Sequence, residues 1–498
     1  MHRQNHSVEA MRRFIWISLT FSLVARLILS TVLPLTDKTE ARYAEIARLM
    51  LETGNWVTPQ YDYGVPFWAK PPLSTWLSAG SMGIFGVNEF AVRLPELLLT
   101  IAGLWLVWFI GKKRHNFDFG LLSAAITASL PLVYIAAGAV MTDASLAFCT
   151  TLSFVAFWHA LTANDHQEAR LWGYLFFIGQ GLGLLAKGPV CMVLTFGPII
   201  LWMLPHRAER FKNVWKRLPW VTGSILMLVI AVPWYLLAEQ RTPGFLDYFI
   251  VGEHFKRFLV SGWHGDKYGH PHIVPIGMIW WYWFVGALPW SLILFAWLAR
   301  RYNRLKGWLN DGDGWLYYLV CWAIFPMLFF TLAHNALWTY PISGLPALGL
   351  IFTEVYYRLT TAEGTTTTAK KPYFRWLFYL PGLLALIASL AVFFFPELVA
   401  DSTQKQLAQK YMALRPSKDS ALLYVVNRYY SSEFYTNGKA RHTGDMAELN
   451  GLLTNTTKDY IAIDKDYIKL LPKDFMNHFK VVATFGNMAL CEEITATQ

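Results

Sequence analysis

Runs of about 20 apolar residues recur along this chain, and they limit what it can fold into more than any other feature. A helix of that length crosses a hydrocarbon core about 30 Å thick. The apolar residues come in blocks rather than at helical or strand period. Eleven candidate spans lie at about 14–33, 91–111, 119–137, 144–161, 171–186, 190–204, 218–238, 274–298, 315–333, 341–357 and 374–396. Two of them are short, which suits burial inside a bundle. Only 15% of the 498 residues are charged, against about 25% in soluble domains. Many of the 23 Trp sit at block ends, where aromatic rings prefer the lipid–water interface. The first block is too long for the apolar core of a signal peptide and reads as a retained anchor.

The net charge of +10 would point to nucleic acid in a soluble protein. Here most basic residues occupy short loops between blocks, so topology accounts for them and no nucleic-acid partner is expected. Arg3, Arg12 and Arg13 precede the first block, and Lys112, Lys113 and Arg114 follow the second. Arg170, then Arg207 to Arg217, then Arg300 to Lys306, then Arg358, Lys370 and Lys371 follow in turn. With eleven spans every cluster falls on one side, which the positive-inside rule makes cytoplasmic. The N-terminus is then inside and the C-terminus outside. Cys149, Cys191 and Cys321 lie inside apolar blocks and Cys491 has no evident partner. No disulfide framework or metal knuckle is read from them.

The outward segments are 34–90, 138–143, about 187–189, 239–273, 334–340 and 397–498. The tract 73–85 is amphipathic and is expected to lie flat on the bilayer. Residues 40–51 have helical character. The expected organisation is a transmembrane part, 1–396, and a small α/β domain, 397–498, with strands at 421–426, 460–463 and 481–485 and a helix at 446–453. A flexible inside loop is expected at 361–371.

Polar residues concentrate in these outward segments. Asp37, Thr39, Glu40, Arg42, Tyr43 and Glu45 precede Lys70-Pro71-Pro72 in the first loop. Carboxylates just past a span reach both a lipid headgroup and water, although solvated charges on an interfacial helix would look the same. Asp143 either caps the fourth span or faces the first loop as a second acid. Lys187 lies between two short spans, where a lysine is costly unless solvated or paired; snorkelling and a phosphate contact both fit. Glu253, His254, Lys256 and Arg257, with His264, Asp266, Lys267, Tyr268, His270 and His272, fill the fourth outward loop. Their spacing matches no strong zinc pattern, and phosphate binding through Lys256 and Arg257 suits them better. Trp280, Trp281 and Trp283 read as an aromatic belt.

Three stretches carry a family likeness: 39–47 (TEARYAEIA), 54–59 (GNWVTP) and 67–72 (FWAKPP). Together they resemble the protein O-mannosyltransferase superfamily, most closely its bacterial lipid A aminoarabinose transferase branch. Gly86, Phe90, Arg93, Asp143, Lys187-Gly188, residues 253–258 (EHFKRF) and Leu288-Pro289-Trp290 continue the match. The resemblance implies a GT-C fold with amphipathic outward loop helices. It implies transfer of a sugar from a polyprenyl-phosphate donor, on the outer face of a bacterial inner membrane, to a lipid A, glycan or protein acceptor. A carboxylate would act as general base, and Lys70, Arg257 and Lys187 would hold the donor phosphate. Arg42, Tyr43, Glu253, His254, Lys256 and Tyr340 join them as substrate-binding residues. One displacement with inversion is expected. The family usually reads Asp-Glu-x-Arg-Tyr, whereas Thr39 stands at the aspartate position here, so the base is assigned to Asp37, supported by Glu40, with Asp143 as a second catalytic acid. Ala69 replaces the glutamate common before Lys-Pro, which removes a candidate metal ligand; no cofactor is assigned and a divalent metal is left open. Residues 334–340 (HNALWTY) lack two lysines of the lipid A branch. The rival reading is a transporter or flippase of a lipid-linked glycan. It expects ionisable residues at span centres and paired broken helices, yet only Arg26, Glu96 and a few others lie within spans.

Overall fold

The structure, a computed structural model, describes residues 2–260, 262–269, 273–309, 313–362, 374–414, 416–417, 419–455 and 457–494. His270, His272 and residues 363–371 of the expected inside loop lie outside the described residues. The apolar blocks are helical. α1 (His2–Val32) is followed by the first loop, which holds α2 (Thr39–Thr53), a small antiparallel pair β1 (Gln60–Asp62) and β2 (Val65–Pro66), and α3 (Leu73–Phe85). Then come α4 (Glu89–Arg114), α5 (Phe117–Ala128), α6 (Pro131–Ala136), α7 (Asp143–Thr162), α8 (His166–Lys187), α9 (Val190–Met203), α10 (Arg207–Arg217) and α11 (Trp220–Arg241). A π-helical stretch, Asp247–Lys256, runs into α12 (Arg257–Leu259). α13 (Met278–Gly286), α14 (Trp290–Leu309), α15 (Trp315–Thr331), α16 (Leu345–Ala362) and α17 (Leu380–Phe394) complete the bundle.

Among the described residues, five helices are long and apolar enough to cross a membrane: Glu9–Val32, Glu89–Arg114, Asp143–Thr162, Trp220–Arg241 and Arg375–Phe394. The stretch 274–298 is not the straight span expected. α13 and α14 meet at 105°, because Pro289 has no N–H to continue the ladder. Likewise 119–137 breaks before Pro131, where Leu130 is extended. Asparagine side chains start two helices: Asn88 accepts from Ala91 N–H at 2.8 Å and Asn116 from Phe119 N–H at 3.0 Å, satisfying orphan donors of the first turn. A dense aromatic layer of Trp158, Trp202, Trp315, Tyr318 and Trp322 packs toward the end of the bundle that holds Arg114 and Arg210.

The bundle has two chemically different ends, and α4 spans both. At its C-terminal end Arg12 meets Asp118 at 2.6 Å, Arg114 meets Asp313 at 2.6 Å and His115 meets Glu354 at 2.7 Å. At its N-terminal end Glu89 accepts from the Tyr435 hydroxyl at 3.0 Å. The basic clusters around Arg12 and Lys112 to Arg114 therefore lie at the end opposite the first loop.

The C-terminal residues fold as a five-stranded sheet of order β4-β3-β5-β7-β6, made of β3 (Leu422–Val425), β4 (Ala440–Thr443), β5 (Tyr460–Asp464), β6 (Phe479–Phe485) and β7 (Met488–Glu493). β3 runs parallel to β4 and β5, and β7 is antiparallel to β5 and β6. Alternate residues serve opposite faces. Leu423, Val425, Ile461 and Ile463 pack with α20 (Met446–Leu452), while Leu422, Tyr424, Tyr460 and Ala462 pack with α18 (Lys405–Ala413). The unit sits on the first loop through α19 (Tyr430–Tyr435), whose Tyr430 and Phe434 meet Ala41, Ala44 and Ala47 of α2. Three alanines at one face allow that close approach.

α8 ends at Gly188, in a conformation (φ +80°, ψ −157°) that is essentially reserved for glycine. A Cβ there would stand 2.6 Å from the Phe249 ring. Gly188→Ala is expected to lose about 1–3 kcal/mol of stability, read as a lowered denaturation midpoint in detergent micelles.

Candidate active site

A cavity of about 910 Å³ opens between the first loop, the starts of α7 and α16, the end of α8 and the C-terminal unit. Nine of the residues expected from sequence line it: Asp37, Glu40, Arg42, Tyr43, Lys70, Asp143, Lys187, Arg257 and Tyr340. Thr39 lines it too. Glu253, His254 and Lys256 do not.

The first loop is tied down from beneath. Arg93 of α4, 1% exposed, donates to both Glu40 oxygens (2.8 and 2.9 Å) and to the carbonyls of Ser30, Leu33 and Pro34. Burial would raise the Glu40 carboxyl, but Arg93 outweighs it and holds it below the usual range. Glu40 is thus held in a buried ion pair with Arg93. Asp37, three residues before it, turns the other way. Its carboxylate accepts from the Ser431 N–H at 3.1 Å and from the Ser431 hydroxyl, and its own N–H donates to the Ser402 carbonyl at 2.8 Å. Burial pushes the Asp37 carboxyl up to about 6, against the pull of those hydrogen bonds.

Three of the cations that line the cavity, Lys70, Lys187 and Arg257, each have a carboxylate behind them. Lys70 meets Glu253 at 3.0 Å, and Arg257 meets Glu253 at 3.0 Å and Asp266 at 3.4 Å. Glu253 is buried and does not line the cavity itself. Burial works against charge on Glu253 and Lys70 alike, but their mutual attraction, with Arg257 helping Glu253, holds the carboxyl low and the ammonium high. Lys187 meets Asp143 at 2.7 Å and lies 5.1 Å from the Tyr340 ring centre. The lysine neither snorkels nor stands free, and Asp143 makes no side-chain cap on α7. His254 sits behind Lys187 with its ring nitrogens against the carbonyls of Phe249 (2.8 Å) and Lys187 (3.4 Å), and burial lowers its pKa. Lys256 is exposed outside the cavity. Among the described residues no three His, Cys, Asp or Glu side chains converge to hold a metal ion.

Tyr268 of the fourth outward loop completes the wall, with Tyr61, Arg428 and Tyr430, which the sequence left unmarked. The Tyr268 hydroxyl donates to the Pro66 carbonyl (2.7 Å) and accepts from the Trp68 N–H (3.0 Å), fixing the strand that delivers Lys70. Arg428 lies 4.7 Å from the ring centres of both Tyr61 and Tyr430, and pairs with Glu433 at 2.7 Å. No periodicity joins residue 61 to residue 430, so no local signal could have found this contact.

Residues 18–249 match the family of dolichyl-phosphate-mannose-protein mannosyltransferases. Over 98% of its length the chain superposes on all of an ArnT protein from Cupriavidus metallidurans in its apo state, with a TM-score of 0.77 and 19% identity. The chain has the GT-C fold. The same ArnT bound to undecaprenyl phosphate gives a TM-score of 0.76 over 97% of the chain and 98% of that protein. At such identity the likeness is one of fold. In sequence, the GT-C chain is 30% identical over 318 residues to an undecaprenyl phosphate-alpha-4-amino-4-deoxy-L-arabinose arabinosyl transferase of Pseudomonas fluorescens, covering 63% of this chain and 52% of that protein. A relative of the same name from Erwinia tasmaniensis is 30% identical over 63% of this chain and 54% of its own length. The chain spans about half the length of the curated relatives it matches. With its apolar helices and this kinship, it is a multi-pass membrane protein.

Breaking the Asp143–Lys187 pair leaves a buried charge alone. Asp143→Asn and Lys187→Met are each expected to cost about 3–5 kcal/mol, and the double variant to recover most of it, as a denaturation cycle would show.

Proposed function

We propose that this protein transfers a sugar from a polyprenyl-phosphate donor to an acceptor of the bacterial envelope (a lipid A, glycan or protein) at the outward face of the inner membrane. The observation that carries the reading is one cavity lined by Lys70, Lys187 and Arg257 together with Asp37 and with apolar residues such as Leu29, Leu33 and Ile135. The cations suit a phosphate, the carboxylate suits a proton, and the apolar helices suit a polyprenyl chain. The names of the relatives, which use an undecaprenyl phosphate donor, support the same chemistry. Separation of the cavity from the basic helix ends supports a cytoplasmic N-terminus and a periplasmic C-terminal unit.

The reaction is a single displacement. The acceptor oxygen forms a bond to the anomeric carbon while the bond from that carbon to the phosphate oxygen breaks. The electron pair leaves on the polyprenyl phosphate, whose charge Lys70, Arg257 and Lys187 offset. The acceptor proton passes to Asp37. A carboxyl held near 6 is a stronger base than an exposed aspartate and is still largely ionised at neutral pH. Glu40 has the structural duty described above, and Asp143 keeps Lys187 in place. Residues 1–396 would hold the donor, and residues 397–498 would close the site over the acceptor.

The test is a transfer assay with purified protein in nanodiscs, labelled polyprenyl-phosphate sugars and envelope extract. Lys70→Ala and Arg257→Ala are expected to lower kcat by about 10²–10³-fold. Asp37→Asn is expected to lose about 10²–10⁴-fold, with Thr39→Ala near wild type. Full activity in Asp37→Asn would move the base to another group, and no transfer from any donor would overturn the reading. Because the base must be ionised, the wild-type rate should climb as pH rises through about 6 and level off above it; Asp37→Asn should lack that limb.

A further inference from the structure

The end of the bundle opposite the first loop holds a separate hollow of about 320 Å³, between the start of α8, the end of α10 and the start of α11. His166, Arg170, Lys216, Arg217, Trp220 and Thr222 line it, and no acidic residue does. Arg210 of α10 lies 4.4 Å from the Trp202 ring, whose Nε1 donates to the Gly314 carbonyl next to the Arg114–Asp313 pair. That contact fixes α10 at this end.

The cations of the hollow are held in place without being neutralised. Arg170 donates through Nε to the Tyr174 hydroxyl at 3.2 Å, and Arg217 through one Nη to the Ala163 carbonyl at 3.0 Å. Lys216 has no hydrogen-bond or ion-pair partner among the described residues. The indole N–H of Trp220 is buried and also lacks an acceptor. A buried donor is normally satisfied, so this one marks a place where an acceptor belongs. Elsewhere at this end the chain answers its own cations: Arg12 meets Asp118, Arg114 meets Asp313 and Arg358 meets Glu354. The adjacent hollow around Lys113 and His159 has Glu168 in its wall.

Trp220 also sets the depth of the hollow. It begins α11, one of the five helices able to cross a membrane. Trp215 and Phe211, both exposed, continue from it as a row of nearly parallel rings, with centres 5.6 and 6.0 Å apart. The other face of α10, through Val214 and Leu218, is buried in the bundle. Such rings settle at the headgroup level, and a basic amphipathic helix lies in the interface. The floor is firm. The Tyr174 and Thr222 hydroxyls meet at 3.0 Å, and Gly173 leaves room for Pro219, since a Cβ there would fall 2.2 Å from its ring.

We propose that this hollow binds the phosphodiester headgroup of an anionic glycerophospholipid, from the leaflet opposite the first-loop cavity. Arg170 and Lys216 offset the phosphate charge, and the Trp220 N–H donates to one of its oxygens. The exposed aromatic row gives the acyl chains an apolar surface beside α11. The site is independent of the proposed transfer reaction.

Native mass spectrometry of the full chain, titrated with phosphatidylglycerol, tests this, with phosphatidylcholine and glycerol 3-phosphate as controls. Wild type is expected to retain one phosphatidylglycerol that Arg170→Gln/Lys216→Gln binds about 30-fold more weakly. Trp220→Phe, which keeps a ring and removes the donor, should weaken it about fivefold. Lys112→Gln/Lys113→Gln, which removes as much charge at the same end, should leave it unchanged. Undiminished binding in the folded Arg170→Gln/Lys216→Gln protein would overturn the site. An equal loss in Lys112→Gln/Lys113→Gln would reduce it to diffuse attraction by the basic end, and equal retention of phosphatidylcholine would remove the role of charge. Displacement by glycerol 3-phosphate at equal concentration would overturn its assignment to a lipid. Lys216 touches nothing in the chain, so Lys216→Gln alone keeps the fold. It should weaken the lipid about fivefold, and no change there would also overturn the site.

Discussion

The buried clamp between Arg93 and Glu40 is the constraint on which the outward face depends. Arg93 gathers the last carbonyls of α1, the start of α2 and its own helix into one hydrogen-bonded knot. Orphan carbonyls at a helix end need donors, and a planar guanidinium supplies several at once. With that end fixed, the chain between α1 and α2 has little freedom, so Asp37 is delivered to Ser431 and Thr39 to the cavity. A lysine could not replace Arg93, because it lacks the fork that reaches both Glu40 oxygens and three carbonyls.

Much of the fold could be read from the sequence, since membrane helices announce themselves by length and apolarity alone. The strands at 460–464 and 479–485 and the helix at 446–452 were equally legible, through short apolar runs bounded by polar turns. β4 was not: Ala440-Arg-His-Thr has no apolar alternation and is a strand only because β3 pairs with it on one edge. The bend at Pro289 was hidden because hydropathy averages over it. At the site, sequence located residues but not their partners. Glu40 was marked as support for Asp37, and its partner Arg93, 53 positions away, gave no local signal. Asp37 was chosen by proximity to a motif, whereas its environment comes from Ser431, 394 positions later.

The C-terminal unit is therefore part of the site rather than an appendage to it. Ser431 orients Asp37, and Arg428 and Tyr430 form cavity wall. Their position follows from α19 lying on the alanine face of α2, so the same packing that attaches the unit also positions Asp37.

Glu253 has a further meaning in the economy of turnover. It bonds Lys70 and Arg257 together before any donor arrives. Under the proposed function a donor phosphate would share those cations with a resident carboxylate, which would take them back when the spent carrier departs. The site would then reset itself without recruiting an ion from solution, giving up tight binding of the carrier for its easy release.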